Sequence, residues 1–258
     1  MCYLCIDMRN RTIHSARLGC DMHYRVYGKS GIPLLAFPTQ DGMCNQWEDF
    51  GMVDLLEDYI TSGRVMLFTV DTIDRISWSA SRVSVQVRSR RAENYSLFIE
   101  EELLPVITKL SKARCRPLVL GCSLGATHSA NVLIRRPDLF CGMIGLSGAY
   151  DASYFTKGRM NELWEQNSTV HFLPSLGSDD TRVELLRKRS IVLCVGGARD
   201  EQIEQDATAL LDRALSDKGI EHWTDRWGEE VCHDWIWWKP QLRYFLPLVL
   251  DEIENREL

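Results

Sequence analysis

No stretch of the 258 residues approaches the roughly 20 consecutive apolar residues that span a bilayer, so no membrane-crossing helix is expected. The N-terminus, Met1 to Arg9, has neither a basic head nor a long apolar stretch, so it is not read as a secretory signal. Internal repeats and low-complexity segments are missing too, which argues against solenoids and disorder. There is no excess of positive charge. Acidic residues number 36 against 30 basic, for a net charge of −6, so nothing draws the chain toward nucleic acid or an anionic membrane. Nine cysteines are scattered singly apart from one CxxC, Cys2 and Cys5, which has no second pair at zinc spacing. Reduced, mostly buried thiols in a cytoplasm are expected, with no metal and no cofactor.

What is present is a globular composition, 45% hydrophobic and 26% charged. Short apolar runs alternate with helical patterns. Strands are predicted over residues 23–27, 33–37, 65–70, 117–120, 143–146, 190–195 and 221–227. Helices are predicted over 50–60, 93–112, 124–136, 204–218 and 235–253. Pro105 interrupts the second helix, and Pro240 and Pro247 the last. This order implies an α/β fold with a mainly parallel, twisted sheet and helices on both faces. Residues 1–258 are read as one domain. Residues 149–181 have no clear period, are long for a loop, and are expected to form a cap or rim.

Gly121-Cys122-Ser123-Leu124-Gly125 fits GxSxG. By composition alone such a match arises by accident roughly one time in ten. Its setting is more specific, because it follows a predicted strand and opens a predicted helix, as a nucleophile elbow must. A serine hydroxyl needs a base. Of six histidines, His233 lies between the last strand and the last helix, beside the elbow, where ligands bind in open α/β sheets. His128, on the helix after Ser123, is expected to be a buried, hydrogen-bonded residue. The base needs a carboxylate to orient it. Asp200, Glu201 and Asp151 all follow predicted strands, and Asp234 reads as a turn former. The order Ser123, Asp200, His233 is the chain order of α/β hydrolases. An oxyanion hole needs two backbone N–H donors, and Leu124 is the first candidate.

Gly121–Ala126, Ser147-Gly148-Ala149-Tyr150-Asp151 and Cys232-His233-Asp234-Trp235-Ile236-Trp237-Trp238 together resemble one esterase family. It includes esterase D (S-formylglutathione hydrolase), siderophore esterases, feruloyl esterases and mycolyltransferases. The resemblance spans about residues 20 to 250. Its Gly-His-Asp-x-x-x-Trp pattern is matched with Cys232 in place of the glycine and Trp238 at the Trp. The resemblance implies an α/β-hydrolase fold and serine esterase chemistry, with Ser123 as nucleophile and His233 as base. It places the acid after the penultimate strand, which favours Asp200. It puts the second oxyanion donor at Thr39 or Gln40, and Gln40 is preferred.

The expected activity is hydrolysis of a small-molecule carboxylic ester, without nucleic-acid or membrane partners; a homo-oligomer is left open. An acyltransferase with the same triad and a catalytically silent binding protein are the alternatives. Trp47 and Trp78, in loops after strands, are expected to line a substrate pocket. Arg82, Arg88, Arg90 and Arg91 read as a solvated helix face, with contact to an anionic substrate the sharper alternative.

Overall fold

The computed structural model describes residues 6–113 and 115–257. Cys2 and Cys5 lie outside these residues. The strands are β1 (Met8–Ser15), β2 (Cys20–Tyr27), β3 (Ile32–Phe37), β4 (Val65–Val70), β5 (Leu118–Cys122), β6 (Gly142–Leu146), β7 (Ser190–Val195) and β8 (Trp223–Arg226). They form one eight-stranded sheet in the order β1-β2-β4-β3-β5-β6-β7-β8. β1 and β2 are antiparallel, and β2 joins β4 antiparallel. Every pairing from β4 to β8 is parallel.

Strands buried on both faces have no polar side to show, which is why β3 to β7 read as nearly continuous apolar runs, with Thr69 in β4 and Ser190 at the start of β7 the polar exceptions. Alternate residues enter two cores. Leu35, Phe37, Val119, Met143, Ile191 and Leu193 enter one. Leu34, Ala36, Leu120, Ile144, Leu146 and Val192 enter the other. The first core is covered by α4 (Val85–Leu97), α5 (Leu104–Ser111), α6 (Leu124–Arg135) and α11 (Gln202–Asp217). The second is covered by the short helices α1 (Gln46–Asp49), α2 (Met52–Leu55) and α3 (Glu57–Thr61), and by α12 (Trp235–Glu257).

Some expectations change in detail. β1 was not expected; its outer face is exposed and polar, so no burial pattern marks it. The helix expected over 50–60 is broken into pieces at Gly51 and Leu56. The segment expected to kink at Pro105 passes through a π-helical stretch, Phe98–Leu103, before α5. α12 runs through Pro240 and Pro247 without a break. Its inward side chains, Leu242, Phe245, Leu246, Val249, Leu250 and Ile253, are all buried. At about 1.5–3 kcal/mol each, they outweigh the roughly 3 kcal/mol cost of an interior proline.

Residues 149–181 contain α7 (Ala152–Thr156), α8 (Glu162–Gln166) and α9 (Thr169–Ser175), and α10 (Thr181–Leu186) starts at their end. Asp151, Asn161 and Asp180 cap α7, α8 and α10 through their side chains. No helix among the described residues is long and apolar enough to cross a membrane.

Candidate active site

The carboxyl ends of β3, β5, β6 and β7 meet along one edge of the sheet. At the end of β5 the chain turns at Ser123 with φ 56° and ψ −127° and enters α6 directly. A non-glycine residue at positive φ is strained and persists only where its surroundings hold it. Here they do: Ser123 N–H donates to Leu146 O at 2.9 Å, extending the ladder past the strand end. The two glycines of GxSxG are required by close approach. A Cβ on Gly121 would lie 2.3 Å from the carbonyl of Gly125, and one on Gly125 would lie 2.4 Å from Pro38 O. Only hydrogen at these positions lets α6 pack against the strand that carries the serine and against the loop after β3.

His233 follows β8, in the loop that leads into α12. Its Nε2 lies 2.9 Å from Ser123 Oγ. Its Nδ1 lies 3.1 Å from Glu201 Oε1. The ring packs edge-on against Trp238, 5.0 Å between centroids, and Trp238 Nε1 donates to Ser147 Oγ at 3.0 Å.

The expected acid is corrected by this geometry. Asp200 does not face the imidazole ring; its Oδ2 accepts from the backbone N–H of His233 at 3.3 Å. The reason is local. A 3₁₀ turn, Arg199–Glu201, separates β7 from α11, burying Glu201 completely while Asp200 stays exposed. The longer glutamate side chain spans the extra distance from that turn. Asp151 is engaged elsewhere: it caps α7, accepting from Ser153 N–H at 2.8 Å, and lies 3.7 Å from His171 Nδ1.

Burial by itself would lower the His233 pKa. The hydrogen bond to Glu201 and the charges of Glu204, Glu201 and Asp200 outweigh it, and the pKa stands above the ordinary imidazole value. Glu204, unmarked by any sequence motif, was missed. Its only signal is its place three residues after Glu201, one helical turn along. One ligand-type atom from each of Glu201, Glu204 and His233 lies within 4.8 Å of the others. Both imidazole nitrogens are already engaged, so the group reads as an acid–base cluster.

In the loop after β3, Thr39 N–H donates to Gln46 Oε1 at 2.8 Å and Asp41 N–H to Asp74 Oδ2 at 3.4 Å. Gly42 N–H donates to Thr39 O at 2.9 Å. Within the Thr39–Gly42 turn that leaves the Gln40 amide without a partner among the described residues, and the Gln40 side chain donates to Ser79 Oγ at 2.8 Å. Leu124 N–H, at the start of α6, is likewise unengaged there. His128 is buried, with Nε2 3.0 Å from Asp74 Oδ1, so α6 and the Gln40 loop are tied through Asp74.

The two tryptophans do not line an open pocket, contrary to expectation. Trp47 is 1% exposed, donates to Phe37 O at 3.0 Å and packs on Trp235. Trp78 is 2% exposed and packs with Leu124, Ala152 and Trp164. Both indoles point down into cores from the sheet edge. Arg88 is also corrected: it is buried, donates to the carbonyls of Ser77, Trp78 and Phe155, and lies over the Trp164 ring. Arg82 and Arg90 are exposed, while Arg91 is partly covered and donates to Ile76 O.

The family described as "Putative esterase" matches residues 15–247. The chain belongs to this esterase family. Comparison with curated proteins found no match. Among solved structures, the esterase is similar to a ferulic acid esterase at 19% identity and TM-score 0.75, over 96% of this chain and 98% of the other. It is similar to an S-formylglutathione hydrolase from Agrobacterium tumefaciens at 12% identity and TM-score 0.71, over 95% of each chain. A third, an S-formylglutathione hydrolase from Staphylococcus aureus, has 14% identity and TM-score 0.67, over 95% of this chain and 97% of that one. At these identities the likeness is one of fold: this esterase has the α/β-hydrolase fold.

Proposed function

We propose that this esterase hydrolyses a small-molecule carboxylic ester through an acyl-enzyme on Ser123, with His233 as base and Glu201 as the acid of the triad. The observation that carries the reading is one continuous chain of contacts, Ser123 Oγ to His233 Nε2 at 2.9 Å and His233 Nδ1 to Glu201 Oε1 at 3.1 Å. A carboxylate only accepts, so Glu201 keeps the proton on Nδ1 and leaves Nε2 free to accept from the serine.

Ser123 Oγ bonds to the ester carbonyl carbon as its proton passes to His233 Nε2. The carbonyl π electrons move onto oxygen, which accepts from the backbone N–H groups of Leu124 and Gln40. Collapse breaks the bond to the alcohol oxygen, and that oxygen takes the proton from Nε2. Water then attacks the acyl-enzyme, giving its proton to Nε2, and the serine leaves with that proton as the acid is released.

Residues 149–181 form the rim beside this site in a single domain, and the cytoplasm is the compartment that the odd count and scattered placing of cysteines in the sequence favour. The first substrates to try are a ferulate ester and S-formylglutathione, since structurally similar enzymes act on them, together with 4-nitrophenyl esters of graded acyl length. Ser123→Ala is expected to abolish turnover of every substrate the wild type hydrolyses while the fold is kept. Turnover retained by that variant refutes the reading.

A further inference from the structure

Three carboxyl groups surround one imidazole, and the triad uses only one of them. Asp200 holds the backbone N–H of His233, and Glu201 Oε1 holds Nδ1. The third is Glu204, in the first turn of α11. Resting on the reading of His233 as base, we propose that Glu204 is a positioning residue, a second carboxylate whose charge stabilises the imidazolium formed during acylation and so sets the pH at which His233 becomes a base.

Geometry supports this first. Glu201 and Glu204 are three residues apart, so both side chains project from one side of the helix start. With His233 they form a cluster whose facing atoms all lie within 4.8 Å of one another. Glu201 is fully buried, and its second oxygen, Oε2, has no hydrogen-bond partner among the described residues. The carboxylate on Nδ1 is therefore incompletely satisfied.

The surrounding groups fix the sign. Glu204 is half-buried, and burial raises its pKa; the His233 charge lowers it, while Glu201 and Asp200 raise it, with a net rise. From the strands under Glu201 come the Cys122 and Cys194 thiols, and after β6 the Tyr150 phenol. Burial pushes all three up, so they face the site as neutral groups. Ser123 and the Trp238 ring complete the surroundings of the imidazole. Ionised Glu204 and protonated His233 thus favour each other. When the proton moves from Ser123 Oγ to His233 Nε2, Glu204 meets the new positive charge without reorganisation.

The test is the pH dependence of Ser123 labelling by a fluorophosphonate, measured as a second-order rate. Glu204→Gln and Glu204→Ala are expected to move the acid limb down by about 0.5–1 pH unit, the effect of a carboxylate about 5 Å away in a half-buried site. Glu204→Asp, which keeps the charge, is expected to stay near the wild-type limb. A merely structural role would lower the rate without moving the limb. A limb in both neutral variants that coincides with the wild type or rises, or an equal shift in Glu204→Asp, overturns the proposal. Labelling that persists in Ser123→Ala refutes instead the reading of Ser123 and His233 on which it rests.

Discussion

Exchanging the two adjacent acids separately, as Glu201→Gln and Asp200→Asn, should have very different consequences. Glu201 is 0% exposed, and its Oε1 accepts at 3.1 Å from the ring nitrogen that must carry a proton. Replaced by an amide, it can turn its NH₂ toward Nδ1 and stabilise the tautomer whose proton sits on Nε2, blocking acceptance from Ser123. It also removes the charge opposite the imidazolium. The same change in a chymotrypsin-type triad costs about 10⁴ in kcat, and a loss of about 10²–10⁴, or roughly 3–5 kcal/mol of transition-state stabilisation, is expected here. Asp200 is exposed and accepts from a backbone N–H at 3.3 Å. An asparagine oxygen can accept the same bond, so the loss should be within about threefold, the scale of a weak, solvent-accessible hydrogen bond. Steady-state hydrolysis of a 4-nitrophenyl ester, with thermal unfolding of each variant alongside, gives the ratio. Asp200→Asn as damaging as Glu201→Gln, with both folded, would refute the assignment of Glu201.

Two further outcomes follow from charge and burial. With neutral His233 as the proposed base and its pKa raised, kcat/KM should fall as pH drops through a value above the ordinary imidazole pKa of about 6.5; a pH–rate profile flat down to pH 5 would contradict this. Burial pushes the carboxyl of Glu100 up to about 6. A group raised in the folded state contributes stability below its unfolded pKa and loses it as pH rises through its folded one. Ionised Glu100 therefore costs about 2 kcal/mol at neutral pH. Glu100→Gln should raise the midpoint of urea unfolding at pH 7.5 and leave it nearly unchanged at pH 4.5.

The meeting of Ser123 and His233 at one sheet edge was legible because each sits at a junction that the pattern marks. A glycine-flanked serine lies between an apolar strand and a helix of small residues, and a histidine lies between the last strand and the last helix. The carboxylate that meets the imidazole was not legible, since Asp200 and Glu201 are neighbours and the 3₁₀ turn decides which of them faces inward. Period and propensity do not record that rotation. Trp47 and Trp78 were misplaced because a loop position says nothing about whether an indole turns out to solvent or down into a core. β1 escaped notice because an edge strand with a polar outer face carries no burial pattern. The short helices of residues 149–181 did leave signals in the capping residues Asp151, Asn161 and Asp180. Each helix is too short for a hydrophobic period to support those caps.

Incubating the protein with a fluorophosphonate and mapping the adduct by peptide mass spectrometry addresses the nucleophile itself. A single adduct on Ser123, absent after Ser123→Ala and slowed in His233→Ala, is the expected result. An adduct on another residue, or unchanged labelling of the Ser123→Ala variant, would show that the chain's chemistry is not performed by this serine.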